Sequence, residues 1–178
     1  MKIHLQPAVF LDRDGVLNRV IVKDGVPHPP DCLDQFDFLA GVPRALSHLR
    51  EAGFPLVVVT NQPDVARGTQ TRERVEEMNA QVRAQLPVLD VFTCYHDTAD
   101  GCDCRKPKPG LLLAAARRWR LDPQTSFLIG DRWSDIAAGQ AAGCRTVLLD
   151  KPYSGRDRCT PDYCAADLPE AVCWILEQ

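Results

Sequence analysis

No apolar run in this 178-residue chain is long enough to span a bilayer. The first residues, Met1-Lys2-Ile3-His4-Leu5-Gln6-Pro7, lack the apolar core of a secretory leader, so a cytoplasmic protein with no membrane partner is expected. A basic surplus is also missing. The net charge of −3 leaves little to attract a phosphate backbone, and no nucleic-acid partner is expected. Internal repeats, low-complexity tracts and linkers are absent, so one domain over residues 1–178, acting as a monomer, is the expectation. Cysteine, by contrast, is plentiful, with eight in the chain. Without a leader these do not read as a disulfide scaffold. Cys94, Cys102 and Cys104 cluster, which favours metal binding for that group; Cys159, Cys164 and Cys173 lie near the end.

Strand and helix signals alternate, the pattern of a parallel sheet covered on both faces. Strands are expected at Ala8–Leu11, Pro55–Thr60, Val91–Tyr95, Ser126–Ile129 and Thr146–Leu149. Helices are expected at Pro43–Ala52, Thr71–Gln85, Pro109–Trp119, Ser134–Ala142 and Leu168–Leu176, with Ser134 as an N-cap. Leu46 and Leu49 face inward on the first helix, and Val75, Met78, Val82 and Leu86 make the stripe of the second. Lys23 to Pro30, with Gly25, Pro27, Pro29 and Pro30, reads as a loop.

The polar punctuation falls after the strands. Asp12 and Asp14 follow the first, Thr60 and Asn61 the second, and Asp131 and Asp135 the fourth. Parallel strands bring such positions together at one sheet edge. Asp12 and Asp14 repel each other unless a cation lies between them. Asp12, Asp131 and a main-chain carbonyl near Asp14 make a hard, oxygen-only site suited to Mg²⁺. A carboxylate there can attack phosphorus. An acid two residues on can protonate the leaving oxygen and later activate water. Thr60 and Asn61 offer polar groups to phosphoryl oxygens, and Lys106 or Lys108 offers the neutralising charge.

These residues resemble, in order, the four motifs of the haloacid dehalogenase superfamily of phosphohydrolases. Asp12-Arg13-Asp14-Gly15-Val16 looks like the first, Val59-Thr60-Asn61 the second, Arg105-Lys106-Pro107 the third and Gly130-Asp131-Arg132-Trp133-Ser134-Asp135 the fourth. The resemblance implies a Rossmann-like α/β fold, a parallel sheet flanked by helices. It implies Asp12 as nucleophile, Asp14 as general acid/base, Lys106 as the phosphate-binding lysine, and Mg²⁺ on Asp12, Asp14 and Asp131. The segment from Asn18 to Pro30 is too short for a large cap domain.

Cys94-x-His96 with Cys102-x-Cys104 supplies three thiolates and an imidazole, a closed tetrahedral set for structural zinc with no position left for catalysis. This zinc-binding loop resembles the branch of phosphatases acting on heptose bisphosphates and histidinol phosphate, which implies a small phosphorylated sugar or a similar polar phosphate as substrate. Leu56 to Gln62, Ala66-Arg67-Gly68 and Cys102 to Pro107 lean to the heptose side, and by resemblance Arg67 and Arg105 contact the sugar phosphate. Two guanidinium forks also suit a second, non-reacting phosphate. Tyr95 stands where the branch usually has proline, and Pro63-Asp64 where a small residue and glycine are usual. The short loop from His96 to Cys102 and Gly130-Asp131-Arg132 lean toward the histidinol-phosphate enzymes. A catalytically silent, zinc-stabilised binding protein is the reading from another class. His4 reads as tail, His28 as a loop residue near the first motif, His48 as helix surface, and Trp133 as packing.

Overall fold

Val9–Leu11 has no charge and no turn former, and it becomes the fully buried inner strand β1. The computed structural model describes residues 5–178, so the reading of His4 lies outside the described residues. After β1 come a small hairpin of β2 (Ile21–Lys23) and β3 (Val26–His28), then α1 (Val42–Glu51) and β4 (Leu56–Asn61). The chain continues with α2 (Arg72–Gln85), β5 (Asp90–Cys94), α3 (Gly110–Trp119), β6 (Phe127–Gly130) and α4 (Trp133–Ala142). It closes with β7 (Arg145–Leu149), β8 (Tyr163–Ala165) and α5 (Leu168–Leu176).

Six strands form one sheet in the order β5-β4-β1-β6-β7-β8, every neighbouring pair parallel. Strand alternation divides the core between the two faces. Val9, Leu11, Leu56 and Val58 pack with Leu46 and Leu49 of α1, Val82 of α2, and Val172 and Ile175 of α5. Phe10, Val57, Val59 and Leu128 pack with Leu111, Leu112 and Ala115 of α3 and Ala138 of α4. The expected stripe of α2 is buried as read. Leu11 pairs with Val58 and with Ile129, so Asp12 leaves the sheet level with Val59 and Gly130.

The structure departs from expectation in three places. The stretch read as a loop is half hairpin: Asp24 and Gly25, with φ of 51° and 76°, make the two-residue turn between β2 and β3. The strand β8 was not anticipated, because three residues in a polar stretch carry no periodicity. Ser134 lies inside α4; the cap is at Arg132, whose N–H donates to Asp135 Oδ2 at 3.0 Å. Among the described residues the segment between β1 and α1 holds this hairpin and a short 3-10 turn, Leu33–Gln35, with no large cap. Among the described residues no helix is long and apolar enough to cross a membrane, and no disulfide is formed.

Candidate active site

Two neighbouring strand ends deliver three acids to one point. Ligand oxygens of Asp12, after β1, and of Asp131 and Asp135, after β6, lie within 4.8 Å of one another. All three residues are buried. Lys106, 3% exposed, enters from the loop before α3; its Nζ donates to Asp12 Oδ1 at 2.8 Å, Asp135 Oδ1 at 2.6 Å and the Val59 carbonyl at 2.8 Å. Lys108 points away, to the Gly101 carbonyl and Asp103, which decides between the two candidate lysines. Both oxygens of Asp131 are buried without a hydrogen-bond partner, although the Tyr153 hydroxyl is close by. Gly15, at φ +85°, lies against this acid: a Cβ there would sit 1.9 Å from Asp131 Oδ2.

This cluster fits a divalent cation. Three carboxylates and one ammonium leave two negative charges, and the ammonium pairs with Asp12 and Asp135 but not with Asp131. The donors are oxygens only, as Mg²⁺ prefers. Burial, only partly offset by Lys106 and reinforced by Asp135, pushes Asp12 up to about 6. Burial and the facing Asp12 and Asp135 push Asp131 well above the usual carboxylate range. Burial alone would lower Lys106, but Asp12 and Asp135 outweigh it and raise the ammonium above its ordinary value.

Asp14 points elsewhere. Its carboxylate lies outside the three-acid cluster, with Asp135 taking the third place, so any part of Asp14 in metal binding falls to its main-chain carbonyl. Arg13 Nη2 donates to both Asp14 oxygens at 3.0 and 3.1 Å. Asn18 Nδ2 donates to Oδ1 at 2.9 Å and Gln62 Nε2 to Oδ2 at 2.6 Å. Gln62 also donates to Thr60 Oγ1 at 2.9 Å, tying the buried hydroxyl of Thr60 to Asp14. Asn61 is committed to the chain: its amide accepts from the Lys106 N–H at 3.1 Å and donates to the Lys106 carbonyl at 3.0 Å. Sequence reasoning placed Asn61 on substrate; in the structure both of its amide atoms hold the lysine loop.

The thiol loop precedes that lysine. Cys94, His96, Cys102 and Cys104 come together, with Sγ–Sγ distances of 3.2, 3.4 and 3.8 Å and His96 Nδ1 at 3.3 Å from Cys104 and 3.7 Å from Cys94. A tetrahedron of ligands about 2.3 Å from zinc has edges of about 3.8 Å, so the donor set could hold that ion. Among the described residues Cys159 and Cys164 join no such group. Arg67 and Arg105 both reach this loop. Arg67 forks onto Asp97 at 2.8 and 2.9 Å and pairs with Asp64 at 3.1 Å. Its fork, joined by the Thr98 N–H, pulls Asp97 down to about 2. Arg105 Nη1 donates to the His96 carbonyl at 3.3 Å. His28 sits in β3, His48 is exposed on α1, and Trp133 packs under the Arg158 guanidinium at 3.8 Å.

A family model described as HAD-hydrolase-like matches residues 103–171. The chain is 37% identical to the D-glycero-beta-D-manno-heptose-1,7-bisphosphate 7-phosphatase of Pasteurella multocida (strain Pm70), with 94% of this chain and 97% of that protein aligned. The chain belongs to the haloacid dehalogenase-like hydrolases. The enzyme of the same description from Escherichia coli (strain K12) is 36% identical over 93% of each chain. The crystal structure of D,D-heptose 1,7-bisphosphate phosphatase from B. bronchiseptica, complexed with magnesium and phosphate, superposes with a TM-score of 0.82 at 28% identity, covering 97% of this chain and 99% of that one. Within the haloacid dehalogenase-like hydrolases this chain is a phosphatase.

Sequence reasoning placed Asp135 at the converging strand ends without giving it a role, and gave none to Gln62, Asn18, Arg13 or Tyr153. The spacing of Asp131 and Asp135 at an α4 N-terminus was a usable signal for the first; the others carry none.

The acid cluster makes a linkage prediction. The folded, metal-free protein holds a proton on Asp12 up to about pH 6, whereas the unfolded chain releases it near the ordinary value of 3.8. The folded state therefore binds more protons across that window, and metal-free stability falls as pH rises through it. Mg²⁺ competes with those protons, so the rise in Tm on adding Mg²⁺ should be larger at pH 8 than at pH 5. Equal shifts at both pH values in thermal unfolding scans would contradict a cation held by these carboxylates.

Proposed function

We propose that this phosphatase removes the 7-phosphate of D-glycero-D-manno-heptose 1,7-bisphosphate through a phosphoaspartate on Asp12. The observation that carries the substrate is the likeness, across nearly the whole of both chains, to two phosphatases of that description. Asp12 attacks phosphorus, forming an O–P bond as the ester O–P bond breaks. Asp14 gives its proton to the departing sugar oxygen. Water then attacks the same phosphorus, Asp14 takes its proton, and phosphate leaves as Asp12 is restored. Lys106 holds Asp12 in one rotamer and places positive charge beside the transferring group. Asp12, Asp131 and Asp135, together with the Asp14 carbonyl, would hold Mg²⁺, which would supply charge that offsets the phosphoryl oxygens. Thr60 offers its hydroxyl to the phosphoryl oxygens, and Asn61 serves the site by fixing Lys106. Arg67 and Arg105 receive the 1-phosphate at the rim, where phosphate would take over the Arg67 fork from Asp97. Cys94, His96, Cys102 and Cys104 would hold a structural zinc, which would pin the loop that leads to Arg105 and Lys106. On this reading the chain is one phosphatase domain over residues 1–178, a monomer in the cytoplasm.

Side-by-side phosphate release with Mg²⁺ tests the substrate. The heptose bisphosphate should be cleaved with kcat/KM at least about 100-fold above histidinol phosphate, because only it presents a second phosphate to the arginine forks. The reverse preference would assign histidinol phosphate. No release from either, or from simple phosphate esters, would favour a binding protein.

A further inference from the structure

We propose that Arg13 is a positioning residue for Asp14, and that Tyr95 in the thiol loop anchors it through Glu76 and Asn79. The proposal rests on reading Asp14 as the general acid/base. Arg13 has no exposed surface, yet it pairs with a carboxylate whose side chain is 15% exposed. A permanently charged guanidinium is costly to bury and is held only by several partners at once. Its Nε and Nη2 cover one side of Asp14, at 3.0–3.3 Å. Its remaining arm, Nη1, donates to Asn79 Oδ1 at 2.9 Å.

Asn79 is a fully buried amide on the apolar stripe of α2. Its Nδ2 donates to Glu76 Oε1 at 2.9 Å and to Thr93 Oγ1 at 3.1 Å. Glu76 also accepts from the Tyr95 hydroxyl, and Arg72 lies over the Tyr95 ring at 4.7 Å. Tyr95 stands between Cys94 and His96, so both of its chain neighbours are thiol-loop donors. The path from that loop to Asp14 thus runs Tyr95, Glu76, Asn79, Arg13, each link a side-chain hydrogen bond or ion pair. It gives a use to a tyrosine that departs from the proline expected there.

Leaving-group dependence tests this. Formation of the phosphoaspartate from a sugar phosphate needs a proton on a poor leaving group, whereas p-nitrophenolate departs without one, so kcat/KM for the aryl ester bypasses the acid. Arg13→Lys should lower kcat/KM for the heptose bisphosphate by about 10- to 100-fold, below the 10²–10⁴ range for losing an acid outright, and change p-nitrophenyl phosphate by less than about threefold. Asn79→Ala should show the same selectivity, and Tyr95→Phe should show it more weakly with zinc content unchanged. Asn79→Ala and Tyr95→Phe decide the matter if Arg13→Lys does not fold, as judged by its thermal transition. Equal losses on both esters, or no loss in any variant, would overturn the relay and leave the network structural. Asp14→Asn serves as the reference: without selectivity in that variant, the reading of Asp14 itself fails. Selectivity in Asp14→Asn but not in the relay variants overturns the relay alone.

Discussion

Asp12→Asn is expected to abolish phosphate release while making the metal-free protein more stable. The activity loss follows from the chemistry: an amide oxygen does not displace a phosphate ester, so kcat should fall by about 10⁴ or more. The stability gain follows from the surroundings. Asp12 is pushed up to about 6 by burial and by Asp135 and Asp14, despite Lys106, so at pH 8 it is ionised at a cost. A neutral side chain of the same shape removes that cost, on the order of 3 kcal/mol for a rise of about two units. Lys106 keeps Asp135 at 2.6 Å and the Val59 carbonyl, so the pair is not orphaned. Phosphate release and thermal unfolding in chelator at pH 8 check both halves. An active variant, or one that melts well below the parent, would contradict this account.

Lys106→Met is expected to do the opposite to stability. Here the single cation among three buried acids is removed. Breaking a buried pair from one side typically costs 3–5 kcal/mol, because the remaining charge has no partner. The loss should be smaller with saturating Mg²⁺, which supplies positive charge to the same carboxylates. Turnover should fall by about 10²–10³, the usual effect of deleting one preorganised group facing developing charge. Denaturant unfolding with and without Mg²⁺, together with kcat on the heptose bisphosphate, separates the two effects. A variant as stable as the parent in chelator would show that Lys106 does not balance the cluster. The two substitutions touch one ion pair, yet their stability effects differ in sign, since one partner is in surplus and the other scarce.

Much of this was legible in the chain itself. The strand bounds follow from short β-branched runs such as Val57-Val58-Val59, which are apolar on both faces and therefore belong inside a parallel sheet. The thiol loop was legible because its four donors fall within eleven residues of sequence, Cys94 to Cys104, where local chain geometry limits how far apart they lie. Short-range signals were also misread in places. The Asp24-Gly25 turn is hidden by nearby prolines, and the expected Ser134 cap lies two residues inside the helix that Arg132 caps and Asp135 closes.

The sequence by itself determined the layered α/β class, the edge at which chemistry gathers and the identity of Asp12, Asp131 and Lys106 as candidates. These depend on residue type and on periodicity, which a linear chain displays. Only the tertiary structure decided which acid joins Asp12 and Asp131, which lysine serves them, and what holds Asp14. Those outcomes turn on ångström distances between groups far apart in the chain: Lys106 reaches back to Val59, Gln62 to Asp14, and Arg13 across 66 positions to Asn79. Buried polar groups take whichever partner the packing brings within reach, because leaving one unpaired costs more than any local preference of the backbone.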